Sequence, residues 1–387
     1  MIAVAVLFGG RSGEHEVSLQ SATSVVRNLD KNRYRICLIG ITKDGRWFLQ
    51  PSDLLETVCA GEITLSIAAQ STQLVDVRPG GGLVCSGEPL KIDVVFPVLH
   101  GSFGEDGTVQ GALDIAGLPY VGSGVLGSAA GMDKDAAKRL WRASGIPVVP
   151  SMTVQRREVT LPRSATRLHH EAPPRPDQAE IDEAVVSRLF GEARDRWGTP
   201  IFVKPARAGS SVGVARIEHR DEFRTALLDA FRFDTKLLLE PAIDGQEIEV
   251  SVIGNSAVHA YPPGEVIPTH RFYDYDAKYR DPNGAALQIP AHLSEEEAAA
   301  IRRYAAAAHE SVCAEGMSRV DFFISHTDRA IYVNEINTIP GFTRISMFPR
   351  MCAAAGLSYP ELLSTLIDLA LDRAQEQDGL VFDYQCS

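Results

Sequence analysis

Long apolar runs are missing from this 387-residue chain. No segment approaches the roughly 18 consecutive apolar residues of a membrane-spanning helix. The first residues, Met1 to Phe8, lack a basic leader and run straight into Gly9-Gly10-Arg11-Ser12-Gly13. They therefore read as a core strand, not a signal peptide. Cysteine is sparse: six residues with no CxxC spacing, which excludes a disulfide framework or a zinc ribbon and favours a reducing, cytoplasmic setting. Positive charge is also short, with 38 Lys+Arg against 50 Asp+Glu and a formal charge of −12. A broad nucleic-acid-binding surface is thereby disfavoured. No GxxxxGK[ST] occurs, so there is no P-loop. What remains is 45 % hydrophobic, enough for a sizeable core in two or three domains.

The first third alternates strand and helix. Residues 2–8 read as a strand, 17–29 as a helix and 34–41 as a strand. Residues 92–99 are a short apolar run suited to a buried parallel strand, and 108–116 are apolar at helical spacing. This is an open α/β pattern, in which ligands sit beyond the carboxyl ends of the strands. Two polar glycine-rich stretches lie at such ends: Gly9 to Glu16, and His100-Gly101-Ser102-Phe103-Gly104-Glu105-Asp106-Gly107. Asp133 is placed to cap a helix running to about Ser144. Residues 155–177 are rich in Arg, Pro and His, including His169-His170, and read as a surface insertion. Further on come a hairpin through 201–204 and 212–217, an Ala-rich helix at 294–314 and a strand pair at 319–324 and 330–336.

Four clusters carry possible chemistry. Gly122-Ser123-Gly124-Val125-Leu126-Gly127 matches GxGxxG but lacks a preceding strand and an acid about 20 residues on, so a structural turn is the better reading than a dinucleotide site. Lys204-Pro205-Ala206-Arg207-Ala208-Gly209-Ser210-Ser211 sets a lysine at a strand end before a Gly/Ser loop, an arrangement that suits phosphate, although an ordinary hairpin would look similar. In Arg319-Val320-Asp321 and Glu335-Ile336-Asn337, alternation puts each outer pair on one strand face. Two carboxylates and an amide oxygen there suit Mg²⁺ carrying phosphate; a polar surface hairpin is the plain alternative. Arg271 to Tyr279 is a loop dense in aromatics and charge, fit for a lid or a simple surface loop.

In their order along the chain, GGRSGEHEVS, HGSFGEDGTVQG, GMDKDAAK, KPARAGSSVGV, FYDYDAKY, RVDFF and NEINTIPGFTRISMFP resemble the D-alanine–D-alanine ligases of the ATP-grasp class. The resemblance runs from Val4 to about Leu366 and lapses mainly in 51–90 and 155–195. It implies an α/β fold, α+β in its C-terminal parts, with three domains: 1–122, 123–243 and 244–387, the last carrying a lid loop at about 268–290. It implies two D-alanines joined at the expense of ATP through an acyl phosphate, for peptidoglycan precursors. By the same resemblance, Asp321, Glu335 and Asn337 hold two Mg²⁺ (or Mn²⁺), and Lys134, Lys204 and Lys278 contact ATP phosphates. Ser210 and Ser211 cover those phosphates. Glu240, the backbone of Ile243, and Glu247 bind adenine and ribose, while Phe272, Phe323 and Asn334 complete the nucleotide set. Glu14 receives the first D-alanine's ammonium with His100 beside it, and Glu14, Ser210 and Tyr279 form a trio latching the lid. Arg319 and the Gly341 N–H face the oxyanion; Ser346 and Met347 face the second substrate's carboxylate. A homodimer is implied as well.

Tyr279 favours D-alanine as acceptor, since relatives making D-alanyl-D-lactate replace that part of the loop. Arg344, between PGFT and ISM, departs from the family's smaller residue or proline and leaves D-serine or D-lactate as alternatives. A catalytically silent nucleotide-binding regulator is a remoter one. Glu16 is expected to complement the helix dipole, and His15 to face solvent.

Overall fold

The structure, a computed structural model, describes residues 1–69, 73–160, 181–268 and 285–381. Among these residues the strands form four sheets, and the α/β class expected from the sequence is observed. The first sheet has the order Trp47–Leu49, Tyr34–Ile41, Ile2–Gly9, Val94–Val98, its last three strands parallel. Ile2–Gly9 is almost continuously apolar because both of its faces are covered, one by helices and the other by a helix and a small sheet, and Val4 to Phe8 are fully buried. The chain leaves this strand to one side and returns on the other. The carboxyl ends of Ile2–Gly9 and Val94–Val98 therefore flank a switch point, the position where open α/β sheets hold ligands.

The helix His15–Asn28 and the closing helix Tyr359–Asp378 share one core with this sheet: Val25, Leu29 and Phe96 pack with Leu362, Leu363 and Leu366. Arg373, buried in that last helix, donates to the carbonyls of Gly122 and Tyr120, pairs with Glu315 at 3.2 Å and lies over the Tyr120 ring. The GxGxxG stretch is a turn into the helix Val125–Met132, with only an isolated bridge from Tyr120 before it. Its third glycine has a packing reason, since a Cβ on Gly127 would come within 2.3 Å of the Cys313 carbonyl.

A four-stranded antiparallel sheet follows, in the order Ala215–Ile217, Ile201–Pro205, Lys236–Pro241, Met152–Gln155. The helices Glu183–Trp197 and Arg220–Ala230 cover one face of it. The largest sheet has the order Ala285–Gln288, Gly264–Pro268, Gly245–Gly254, Gly316–Ser325, Ile331–Asn337, with His259–Ala260 paired to Gly245–Gly254. The Ala-rich helix Glu295–Ser311, capped by Ser294, packs against it. The fourth sheet, Val75–Arg78, Gly82–Cys85 and Glu88–Pro89, lies by the first.

Candidate active site

Two loops at the switch point are tied to each other. The Ser12 hydroxyl donates to the His100 carbonyl at 2.6 Å, and the Ser18 hydroxyl donates to the Val98 carbonyl while accepting from the Gly9 N–H at 2.8 Å. Glu14 is buried between these loops, and its carboxylate accepts a hydrogen bond from the Ser210 hydroxyl of the Gly/Ser loop. His100 is buried, with Nδ1 3.1 Å from the Ile339 carbonyl and Nε2 3.0 Å from the Ser21 hydroxyl. A carbonyl can only accept, so Nδ1 carries the proton and Nε2 accepts from Ser21. Burial lowers the His100 pKa, against the nearby Glu14 carboxylate, and keeps the ring neutral.

Glu105 accepts from the N–H of Gly101 at 2.7 Å and of Ile339 at 3.2 Å. Burial, reinforced by the Glu14 charge, pushes its carboxyl up to about 8. Both backbone groups of Ile339 are therefore held by the loop His100–Glu105. Three residues on, the Phe342 N–H donates to Ser21 and its carbonyl accepts from the Tyr359 hydroxyl at 2.6 Å. His15, expected in solvent, is instead buried, its Nδ1 2.8 Å from the Gly10 carbonyl, because the tight Gly9-Gly10 turn leaves a backbone group for the ring to satisfy. Glu16 does lie exposed in the first helical turn, paired with Lys43 at 2.9 Å.

Between the four-stranded and the largest sheets lies a cavity of about 590 Å³, its walls including Phe202, Ile243, Glu247, Phe323 and Asn334. Lys134, Lys204, Ser210, Ser211, Glu240 and Glu335 also line it. Asp133 caps the helix Lys134–Ala143 as expected, and Lys134 leaves the first turn to donate to the Ala208 carbonyl at 2.9 Å and pair with Glu335 at 3.1 Å. Burial opposes its charge, but the Glu335 carboxylate outweighs this and raises the Lys134 pKa. Glu240, 1 % exposed, lies between Lys138 at 2.8 Å and Lys204 at 2.7 Å. Burial alone would raise its carboxyl; the two ammonium groups bring it down to about 2.

The strand pair carries its polar residues as alternation requires. Arg319 is opposite Asn337 and Asp321 opposite Glu335. Arg319 grips Asp321 through two N–H groups at 2.7 Å and reaches Glu249 at 3.2 Å on the other neighbouring strand. The Asn337 amide nitrogen is 3.1 Å from Asp321. A register shift after Asp321 breaks the pairing, so Val333 and Ile336 are buried while Asn334 and Glu335 between them both turn toward the cavity. A bulge re-aims side chains in this way. Among the described residues no three acidic, histidine or cysteine side chains form a metal cluster by themselves. Two carboxylates and an amide fall short of a Mg²⁺ shell but suit an ion that brings phosphate and water ligands.

Gly341 follows in the turn held by Glu105, His100 and Ser21. A Cβ there would stand 2.8 Å from the Ser346 hydroxyl. That hydroxyl accepts from the Thr343 N–H at 3.0 Å and lies 2.7 Å from the Thr343 hydroxyl. Ser346 is the N-cap of the helix Met347–Ala354; the Met347 side chain is buried with Val266 and Met351, so only its backbone can face a ligand. Arg344 is exposed. Phe272, Lys278, Tyr279 and the His169-His170 pair lie outside the described residues.

Three contributors escaped the sequence reading: Glu105, Glu249 and Lys138. Lys138 alone left a usable signal, one turn after Lys134 on the same helix face.

Polar loops tied together at a sheet switch point, beside a lysine-lined cavity between two antiparallel sheets, are the arrangement of an ATP-grasp fold. Sequence models of the D-ala D-ala ligase N-terminus and C-terminus match residues 3–123 and 178–368. The D-alanine--D-alanine ligase of Treponema denticola is 46 % identical over 96 % of this chain and 96 % of its own length. That of Acetivibrio thermocellus is 42 % identical, again covering 96 % of each. Among solved structures, the D-alanine-D-alanine ligase from Coxiella burnetii superposes with a TM-score of 0.79 at 36 % identity, over 97 % of this chain and 96 % of that one. The VanG D-Ala:D-Ser ligase from Enterococcus faecalis gives 0.78 at 34 %, over 95 % and 99 %. The chain belongs to the D-alanine–D-alanine ligase family.

Proposed function

We propose that this chain joins two D-alanines into D-alanyl-D-alanine for peptidoglycan synthesis, converting ATP to ADP and phosphate. The carboxylate of the first D-alanine takes the γ-phosphoryl group; the amine of the second attacks the acyl carbon, and phosphate leaves. The observation that carries the reading is the Glu14–Ser210 hydrogen bond, which joins an ammonium-binding carboxylate at the switch point to the loop over the cavity. Ser210 and Ser211 have φ of 52° and 58°, a left-handed backbone unusual for serine and typical of functional loops.

In this reading Glu14 holds the first ammonium, and neutral His100 adds no positive charge to repel it. Lys134 and Lys204 take phosphate oxygens, leaving the carboxylates they now neutralise. Glu240 and the Ile243 backbone face adenine, with Glu247 on the ribose and Phe323 and Asn334 against the nucleotide. Asp321, Glu335 and Asn337 would hold Mg²⁺, which when bound neutralises phosphate oxygens as two anions approach. Arg319 and the Gly341 N–H stabilise the oxyanion where charge develops. Ser346 and the Met347 N–H receive the second carboxylate; Lys278 and Tyr279 would close the site from the lid loop. We place the domain limits near 122 and 243. Exposed Ile115, on the last helix before residue 122, and Val125 and Leu126, on the adjacent helix just after it, support a homodimer, to be checked by light scattering.

The VanG similarity favours a second reading, with D-serine as acceptor. Mass spectrometry of products from ATP, Mg²⁺ and equal D-Ala, D-Ser and D-Lac decides between them. D-Ala-D-Ala as the main product is expected; D-Ala-D-Ser as the main product transfers the assignment to the second reading.

A further inference from the structure

Lys138 is wholly buried, yet it is not part of the cavity wall. It stands behind the wall, 2.8 Å from Oε1 of Glu240 and 3.3 Å from the carbonyl of Val149, which does line the cavity. Lys204 reaches the same carboxylate from the cavity side, at Oε2 and 2.7 Å. The two oxygens of Glu240 are thus distinguished, though both are buried: Oε1 is fixed from behind, and Oε2 is covered on the cavity side by Lys204. When Lys204 turns to phosphate, as in the reading above, Oε2 is uncovered on the cavity side with its lone pairs available to a new donor. Lys134 and Lys138 are four residues apart on the helix Lys134–Ala143, and such residues lie one above the other. That helix therefore sends one ammonium to Glu335 and the next to Glu240, at two separate stations along the cavity.

We propose that Lys138 is the positioning residue for nucleobase choice: by fixing Oε1 of Glu240 it keeps Oε2 turned into the cavity, where that oxygen accepts from the 6-amino group of adenine and rejects the 6-oxo group of hypoxanthine or guanine. The proposal rests on the reading above that Glu240 faces the base. A site built around a fixed acceptor discriminates strongly, because the wrong base sets one acceptor against another. Lys138 itself touches no substrate and works only through Glu240.

The test is steady-state kinetics with ATP and ITP on Lys138→Met, which keeps the side-chain length and removes the ammonium. The ATP-to-ITP ratio of kcat/KM should fall about tenfold, chiefly through KM for ATP, with KM for D-alanine within twofold of wild type. A purely structural loss would lower both nucleotides alike. A Lys138→Met protein that folds, by its circular dichroism melt, and keeps the wild-type ratio overturns the proposal. Where that variant does not fold, Glu240→Gln and the double variant Lys138→Met/Glu240→Gln carry the test, the double having neither charge of the buried pair. Equal ratios in those two, both below wild type, are expected, and a further drop of threefold or more in the double would show Lys138 acting by another route. Glu240→Gln with an unchanged ratio would instead remove the base from Glu240, sinking the underlying reading as well.

Discussion

Glu240 and Glu105 are both buried carboxyl groups, and their environments drive them in opposite directions. Glu240 sits between two ammonium groups and is drawn down to about 2. Glu105 has two backbone N–H donors and a neighbouring carboxylate, and rises to about 8. Burial penalises both charges; what separates them is the counter-charge within reach. In the proposed reading, the end assigned to the nucleotide is thus built from ion pairs that incoming phosphate can take over. Around Glu105, at the end assigned to the acyl group, hydrogen bonds hold backbone in place.

The same change at each carboxyl gives the sharpest contrast. Glu240→Gln leaves Lys138 buried with no carboxylate and should destabilise the fold by roughly 3 kcal/mol or more in urea unfolding at pH 7; an unchanged midpoint would mean the lysines need no partner. The wild-type contribution of this group is complete above its ordinary 4.5 and is lost as pH falls toward 2. Arg319, bound to Asp321 and Glu249, lies where the ends meet. Arg319→Met should lower kcat by about 10²–10³, the cost of one oxyanion donor, and a kcat within threefold of wild type would remove it from the acyl step. Glu105→Gln reverses the sign seen at Glu240. Because the folded carboxyl binds its proton up to about 8 and the unfolded one only to about 4.5, wild-type stability falls as pH rises between them. The variant should lack that slope, gaining on wild type by a few kcal/mol, on the order of one per pH unit, from pH 5 to 9. Parallel pH curves would refute the assignment. Smallest of all, Glu16→Gln breaks a pair whose side chains are 68 % and 63 % exposed; it should change stability by no more than about 0.5 kcal/mol, in the same urea assay.

What the sequence made legible follows the same division. Local signals served well: Asp133 as a cap, the alternation of Arg319 with Asp321 and of Glu335 with Asn337, and the polar loops ending two strands. Each needs only the residue's own neighbours. Lys138, although it ends the stretch GMDKDAAK one turn after Lys134, was given no task, because a second lysine on a helix reads as solvated and its partner is a carboxylate on the strand Lys236–Pro241. Glu105 was quoted within its motif and given no task, since its acceptor role depends on the backbone of Ile339, which tertiary folding alone brings near. The turn of Asn334 toward the cavity required a register shift that strict alternation cannot foresee. His15 was misplaced for a related reason: a polar side chain can be buried by a single unsatisfied carbonyl.

Arg373 gives the order in which a working molecule can come into being. A chain emerging from the ribosome completes its central and largest sheets before the closing helix Tyr359–Asp378 is made. Until Arg373 reaches the carbonyls of Gly122 and Tyr120, the core face that the helix His15–Asn28 covers lacks its second helix, although the strands beneath it come far earlier in the chain. The loop that grips Ile339 stands on that sheet. A chain interrupted within the closing helix therefore keeps nearly all of the proposed site residues and lacks part of the core that backs the loop holding Ile339.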